Sequence, residues 1–253
     1  MEYGAKLAEG KTKIIYAHPD DPALVVMVHK DSISAGDGAR RNEIAGKGAL
    51  SGRTAANVFS MLKAASVPTH FVAAPSPTEM IVRRCHMIPV EVVMRRRATG
   101  SYLKRHPEAA EGARFDPVLV EFFLKDDARH DPQITEPEMV AQEIATHDEV
   151  AEMVEQGRRV FGLLEQAWAA QDVALIDLKI EFGRDLCGSK PGRLLVADMI
   201  DNDSWRIWPG GDKQRMLDKQ IYRNMERVTD DQLLALRQKY AQVADLTERF
   251  RVE

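Results

Sequence analysis

The sequence is poor in cysteine, in net charge and in long apolar runs, and each shortage excludes a class of protein. Cys85 and Cys187 are its only cysteines, and they form neither a CxxC motif nor a cluster with histidine. A structural zinc site is therefore not expected, and a reducing compartment fits best. The 35 basic and 39 acidic residues give a formal charge of −4, which provides no general attraction to nucleic acid or membrane. Since no apolar run reaches membrane-spanning length and the N-terminus lacks a signal-peptide core, we expect a soluble, cytoplasmic protein.

The patterns of apolar residues predict an α+β fold. The first third reads mainly as strands, with KLAEGKTKIIYAH forming two of them around a glycine turn and ALVVMVHK a third. A helix is predicted over 46–65. Two more helices begin at capping boxes, one starting at Thr146 and the other at Thr229.

The chain of 253 residues is long enough for two intimately packed units. From Ile88 onward the pattern changes to longer helices and strands. We therefore predict a smaller lobe over 1–86 and a larger lobe over 87–253 that includes the C-terminal helix.

The segment ALIDLKIEFG has a charged face. Side chains of a strand alternate between its faces, so one face carries Asp177, Lys179 and Glu181. The opposite face is apolar and consists of Ile176, Leu178, Ile180 and Phe182. If the strand RLLVADMI pairs with this segment, Asp198 converges with Glu181, and two such carboxylates suit Mg²⁺ carrying phosphate. The alternative is a strand with one solvated face.

The segment EGKTKIIY, over 9–16, places a glycine turn between two strands. It is not a Walker loop, but Lys11 and Lys13 point to one face beside Gly10. Backbone N–H groups of such a turn and two lysines suit a phosphate group. Taken alone, an ordinary hairpin with surface lysines is the commoner interpretation.

The segment IPVEVVMRRRATGSYLKR directs cations toward a small-residue turn. Alternation places Arg95 and Arg97 on the face that also carries Glu91 and Val93, and Ser101 follows in the turn. Arginines and a hydroxyl at a strand end suit a phosphate ester. A solvated edge or a nucleic-acid contact are the alternatives, although no aromatic platform accompanies the arginines.

Three further segments carry polar residues. SISAGDGARR surrounds Asp37 with glycines, as expected where backbone approaches a ligand, although alone it reads as a turn. LKDDARHDP, which contains Lys125 and Asp131, reads mostly as a polar loop. Near the C-terminus, Lys219 and Arg223 would share one face of a helix, which is equally compatible with an ordinary surface helix.

Taken together, these segments resemble the SAICAR synthetase family of purine biosynthesis. IPVEVVMRRRATGS and LIDLKIEFG resemble its two signature segments, and EGKTKIIY, SAGDG, FLKDDARHDP and the region after Asp198 follow in the family order. The resemblance implies a small ATP-binding lobe set against a larger lobe. It also implies an ATP- and Mg²⁺-dependent ligase with small-molecule substrates. These are CAIR, which is 5-amino-1-(5-phosphoribosyl)imidazole-4-carboxylate, and L-aspartate.

The resemblance also implies roles for individual residues. Nucleotide contacts are expected from Gly10, Lys11, Lys13, Lys125, and, around adenine, Val82 and Met87. Metal ligands are expected from Glu181 and Asp198. Contacts to CAIR and other substrate groups are expected from Asp37, Arg95, Ser101, Asp131, Arg206 and Arg223. Catalytic positions are expected at Asp177, Lys179 and Lys219, with Lys179 also near CAIR.

One position departs from the pattern of many bacterial members. Met199 stands where they carry a second acid after Asp198, and IDNDSWRIWPGGDK resembles the version found in animal bifunctional enzymes. Since the chain ends after its last predicted helix, we expect a single activity. A small-molecule kinase and a non-catalytic nucleotide-binding regulator remain alternatives, and a homo-oligomer is left open.

Overall fold

The computed structural model describes residues 2–36, 38–187 and 190–252. The strands, in chain order, are β1 (Lys6–Glu9), β2 (Lys13–Ala17), β3 (Leu24–His29), β4 (Ser32–Ala35), β5 (Arg40–Glu43), β6 (Phe71–Ser76), β7 (Glu79–Arg83), β8 (Cys85–Arg97), β9 (Arg114–Leu124), β10 (Gln133–Ile134), β11 (Val173–Asp185), β12 (Leu194–Ala197) and β13 (Trp205–Pro209). The helices are α1 (Lys47–Ala64), α2 (Ser101–Arg105), α3 (Glu136–Ala141), α4 (His147–Ala169), α5 (Gln220–Asn224) and α6 (Asp230–Thr247). This mixture of helices and antiparallel sheets confirms the predicted α+β class.

A five-stranded antiparallel sheet forms from the N-terminal part of the chain. Its order is β1–β2–β3–β7–β6, and β4 and β5 form a separate hairpin. The helix α1 covers this sheet and buries Val58, Phe59 and Leu62 completely. The predicted strand, turn and helix positions of this region are therefore confirmed.

The second sheet has the order β10–β9–β8–β11–β12, and β13 also pairs with β11. The helix α4 packs on β11 and β8, and its buried residues include Phe161, Leu164 and Trp168. Both predicted capping boxes are present, at the starts of α4 and α6. The helix α6 packs on α1, so the C-terminal part of the described chain contacts the N-terminal part.

The alternation in β11 is interrupted at one residue. The register of β11 against β13 shifts between Leu175 and Asp177, which leaves Ile176 as the extra residue of a bulge. Leu175 therefore joins Leu178 in the main core cluster, whereas Ile176 is buried outside that cluster. The prediction that Ile176 shares the core face was wrong because a bulge reverses the alternation before it.

In the part of the chain that the structure describes, no helix combines the length and apolarity needed to cross a membrane.

Candidate active site

A cavity of about 1330 Å³ lies where the two sheets approach each other. Its floor is the charged face of β11, which pairs on one side with β8 in the register Asp177 to Arg95 and Glu181 to Glu91. Because residues in register point to the same side of a sheet, these side chains face the cavity together. The charged face predicted from ALIDLKIEFG is therefore the floor of a cavity and not a solvated surface.

Lys179 occupies the middle of this floor. Its Nζ lies 2.5 Å from Oε1 of Glu91 and 3.6 Å from Oε1 of Glu181. Burial alone would lower the pKa of Lys179, but the two glutamates raise it above its usual range. Lys179 is therefore a fixed cation, suited to hold an anionic substrate group and not to act as a base.

Glu181 and Asp198 meet at one end of the floor. The pairing of β11 with β12 sets Glu181 opposite Ala197, the residue before Asp198. Lys13 forms an ion pair with Asp198, and Lys125 Nζ lies 2.7 Å from Oε2 of Glu181. Burial alone would raise the pKa of Asp198, but Lys13 and then Lys125 hold it well below its usual range.

These two carboxylates fit a magnesium ion that also binds phosphate. Mg²⁺ is commonly held by one or two carboxylates and completed by waters and substrate phosphates. Within the described ranges, no cluster of three or more acidic, histidine or cysteine side chains is placed to hold a metal by itself. Glu181 and Asp198 would thus bind the ion together with phosphate oxygens, and the nearby lysines would balance the remaining charge.

The glycine turn before β2 forms one wall at this end. Gly10 N donates to the carbonyl of Lys13 at 2.9 Å, which closes the turn. Lys11 Nζ lies 2.9 Å from Oδ2 of Asp127, and both residues line the cavity. The loop that carries Lys11 is thus joined to the loop after β9, which also contributes Asp131.

Two arginines converge on Asp177 at the other end. Arg95 NH1 lies 3.2 Å from Oδ2 of Asp177, and Arg206 forms an ion pair with the same oxygen. Arg95 also donates from Nε to Oε2 of Glu121 at 2.6 Å and from NH2 to Oγ of Ser101 at 3.2 Å. The guanidinium groups at this end are therefore held in place by carboxylates, and they would suit an anion such as a phosphate ester.

Gly100 is required beside this arginine pair. Its φ is +58°, a conformation that favours glycine, and a Cβ there would lie 2.5 Å from the Arg206 guanidinium. The glycine of the RRRATGS segment therefore lets the arginine approach the turn that carries Ser101.

Most of the predicted site residues line this one cavity. They are Gly10, Lys11, Lys13, Arg95, Ser101, Lys125, Asp131, Asp177, Lys179, Glu181, Asp198, Arg206, Lys219 and Arg223. Val82 and Met87 do not line it, since Val82 is a core residue and Met87 is exposed on β8. Their contact with adenine stays a prediction, and Asp37 lies outside the described residues.

Several residues of the site were not predicted. Glu91 lies on the strand face predicted for it, but no role was predicted. The only sequence signal for its ion pair with Lys179 was the presence of a glutamate in an otherwise apolar strand. Asp203 holds Lys219, with Oδ2 accepting from Nζ at 2.8 Å. Asp218 is buried, and its carboxylate accepts from the backbone N–H groups of Ile207 and Gln220 at 3.0 and 2.8 Å. Asp218 thereby holds the backbone of the residues that follow Arg206 and Lys219. No local sequence signal indicates this role.

The fold and the site together define a class of enzyme. An acid pair with lysines at one end of a cavity and paired arginines at the other suit a nucleotide-dependent enzyme that acts on a second phosphorylated substrate. The family model of SAICAR synthetase matches residues 6–238. This chain belongs to the SAICAR synthetase family.

Individual relatives agree with this assignment. The chain is 68% identical over 248 residues to the phosphoribosylaminoimidazole-succinocarboxamide synthase of Roseiflexus castenholzii, covering 98% of each chain. The crystal structure of the enzyme of that name from Ehrlichia chaffeensis has a TM-score of 0.86 at 28% identity, covering 98% of this chain and 100% of that one. A SAICAR synthetase solved in complex with ADP has a TM-score of 0.84 at 30% identity, covering 97% and 99%.

Proposed function

We propose that this chain is an ATP-dependent carbon–nitrogen ligase that joins CAIR to L-aspartate and releases SAICAR, ADP and phosphate. The observation that carries the proposal is the arrangement of charge along β11. Asp177 with its arginines and Glu181 with its lysines lie on one face, four residues apart, which corresponds to about 13 Å along a strand. Two separate anionic groups can therefore be bound at opposite ends, with Lys179 between them.

In this arrangement the Glu181 end binds the nucleotide. Lys11 and Lys13 lie beside the glycine turn and would contact the phosphates of ATP, while Glu181 and Asp198 would hold Mg²⁺. The metal ion would neutralise charge on the phosphates and polarise the phosphoryl group that is transferred. The use of a nucleotide is supported by the ADP complex of a similar SAICAR synthetase. Its assignment to this end is supported by the lysines and the acid pair that line it.

The Asp177 end binds CAIR. Arg95 and Arg206 would hold the phosphate of CAIR together with Ser101, which leaves its carboxylate near Lys179. A carboxylate cannot be attacked by an amine unaided, because O²⁻ is no leaving group. Transfer of the γ-phosphoryl group to a carboxylate oxygen gives an acyl phosphate and ADP. The neutral amine of aspartate then attacks the acyl carbon, phosphate leaves, and the nitrogen loses a proton as the amide forms.

The cations of the floor are suited to both steps. The negative charge on the transferred group and on the attacked carbonyl oxygen is stabilised by fixed ammonium and guanidinium groups, which need no reorganisation. No protein nucleophile is required, and positioning accounts for most of the catalysis. Lys219 is held by Asp203 and lines the cavity together with Arg206, and it would contact a substrate group there.

The experiment is product formation by the purified protein with ATP, Mg²⁺, CAIR and aspartate, each omitted in turn. We expect SAICAR, ADP and phosphate only in the complete mixture. CAIR labelled with ¹⁸O in its carboxylate should transfer one label to the released phosphate, as an acyl phosphate requires. Consumption of ATP that phosphorylates a hydroxyl without forming SAICAR would refute the ligase proposal in favour of a kinase.

We further propose the division into lobes over 1–86 and 87–253. It is supported by the two sheets, since the strands of the five-stranded sheet end at Arg83 and those of the second begin at Cys85, so that the change of sheet lies just before the proposed boundary. Cys85 and Cys187 are free, which suits the reducing cytoplasm in which we propose that the protein acts.

A further inference from the structure

Tyr240 connects the helix α6 to the cavity without lining it. Its side chain is fully buried, and its hydroxyl donates to Oδ1 of Asp203 at 2.9 Å. The other oxygen of that carboxylate, Oδ2, accepts from Nζ of Lys219 at 2.8 Å. A single carboxylate thus joins a buried tyrosine to an ammonium group that faces the cavity.

The charges of this chain of contacts are fixed. Burial and then Asp203 raise the pKa of Tyr240 well above its usual range, so its hydroxyl stays a donor. Burial alone would raise the pKa of Asp203, but Lys219 and Lys47 hold it below its usual range, so it stays an acceptor. Lys47 is itself buried, with Nζ 5.3 Å from the centroid of the Tyr240 ring.

The hydroxyl has a geometric role that packing alone would not require. A carboxylate bound only to Lys219 could rotate about its last side-chain bond and carry the ammonium with it. With Tyr240 on one oxygen and Lys219 on the other, the plane of the carboxylate is determined. A lysine side chain loses rotamer entropy when it is ordered, so an ammonium group that is already held in place reduces the cost of substrate binding and reaction.

We propose that Tyr240 is a positioning residue, whose hydroxyl orients Asp203 so that Asp203 holds Lys219 toward the reacting groups. The proposal rests on the ligase function proposed above and extends the catalytic machinery to α6. Tyr240 itself contacts no substrate, so its effect passes entirely through Asp203.

The test compares two buried tyrosines of the same apolar cluster. Tyr240→Phe removes the hydroxyl that bonds to Asp203, and the control Tyr222→Phe removes one that donates to Oδ1 of Asn42 at 2.6 Å. Both variants keep their rings and their packing, and Tyr240→Phe should lower the melting temperature at least as much as Tyr222→Phe, because it loses a hydrogen bond to a charged group. Because misplacing a group in the site by about 1 Å can cost on the order of 10²-fold in rate, Tyr240→Phe should lower kcat about tenfold, and Tyr222→Phe less than about twofold.

A double-mutant cycle separates positioning from general destabilisation. In an Asp203→Asn background the Tyr240→Phe change should have no further effect on kcat, because its only route to Lys219 is already altered. Independent, multiplying effects of the two changes would overturn the proposal. If Tyr240→Phe does not fold, normal turnover of Asp203→Asn would still overturn the proposal, because Lys219 would then need no holding.

The outcomes also distinguish the two proposals. An unaltered protein that makes no SAICAR would overturn both the ligase function and the positioning role. An active unaltered protein in which Tyr240→Phe and Tyr222→Phe turn over equally would overturn the positioning role alone.

Discussion

Replacing Arg95 by lysine gives a sharp test of the CAIR site. Arg95→Ala is a poor test, because Glu121 and Asp177 are both buried and would each lose a cationic partner. Glu121 would keep Arg105 and Asp177 would keep Arg206, but each buried carboxylate would lose one of its two cationic partners, which weakens the fold as well as the site. Arg95→Lys keeps the charge but replaces a planar fork by a single ammonium.

The magnitude follows from the contacts of the guanidinium. Its three nitrogens bond separately to Glu121, Asp177 and Ser101, and a lysine cannot reach all three. The loss of one charge-assisted contact to the substrate phosphate corresponds to about 1.5–3 kcal/mol, or roughly 10- to 150-fold in affinity. Since the charge is retained, we expect a KM for CAIR about tenfold higher, with the KM for ATP unchanged.

The neighbouring Arg96 offers a matched control. It lies on the opposite face of β8, where its guanidinium donates to both oxygens of Glu165 at 2.6 and 2.7 Å. Arg96→Lys therefore breaks a similar forked ion pair away from the cavity. Steady-state kinetics for each substrate and urea unfolding of both variants complete the assay. If the two changes raise the KM for CAIR equally, or if Arg95→Lys raises the KM for ATP as much, the assignment of Arg95 to CAIR is refuted.

Three further predictions concern the metal site, acid stability and packing. Asn at position 198 keeps one side-chain oxygen and tolerates the positive φ there, so Asp198→Asn should fold. Its turnover at low Mg²⁺ should fall about 10²–10³-fold and recover in part at high Mg²⁺. Near-normal turnover at low Mg²⁺ would contradict the metal site. Burial lowers the pKa of His29 to about 3, and neither ring nitrogen has a hydrogen-bond partner within the described chain. The folded protein thus keeps His29 neutral, whereas the unfolded chain protonates it below about pH 6.5. The free energy of unfolding should therefore fall by about 2 kcal/mol between pH 7 and pH 5. Urea unfolding at the two pH values should show a smaller loss for His29→Leu, and an equal loss would exclude this residue as the cause. Gly52→Ala would set a Cβ 2.1 Å from the carbonyl oxygen of Pro77, so the melting temperature should fall by several degrees. As a control, Gly162→Ala adds a Cβ in open space on α4 and should leave the melting temperature unchanged.

Local patterns were sufficient wherever one face of an element is buried and the other is not. The alternation of charged and apolar residues over 177–182 identified both the strand β11 and its polar face. The capping boxes at Thr146 and Thr229 identified the starts of α4 and α6, since these contacts join residues only three apart. The order of the motifs along the chain was sufficient to identify the family.

The tertiary structure alone decided which side chains hold the functional groups in place. Tyr240 and Asp203 are 37 residues apart, and Arg95 and Asp177 are 82 apart. Partners so distant are joined by the packing of α6 and the register of β8 with β11, and neither is encoded in a local pattern. The bulge at Ile176 also depends on distant parts of the chain, because it arises where β11 pairs with β13 and sets Asp177 opposite Arg206. Sequence periodicity thus determined which residues are polar or apolar on each element, whereas the register between elements determined which charges meet.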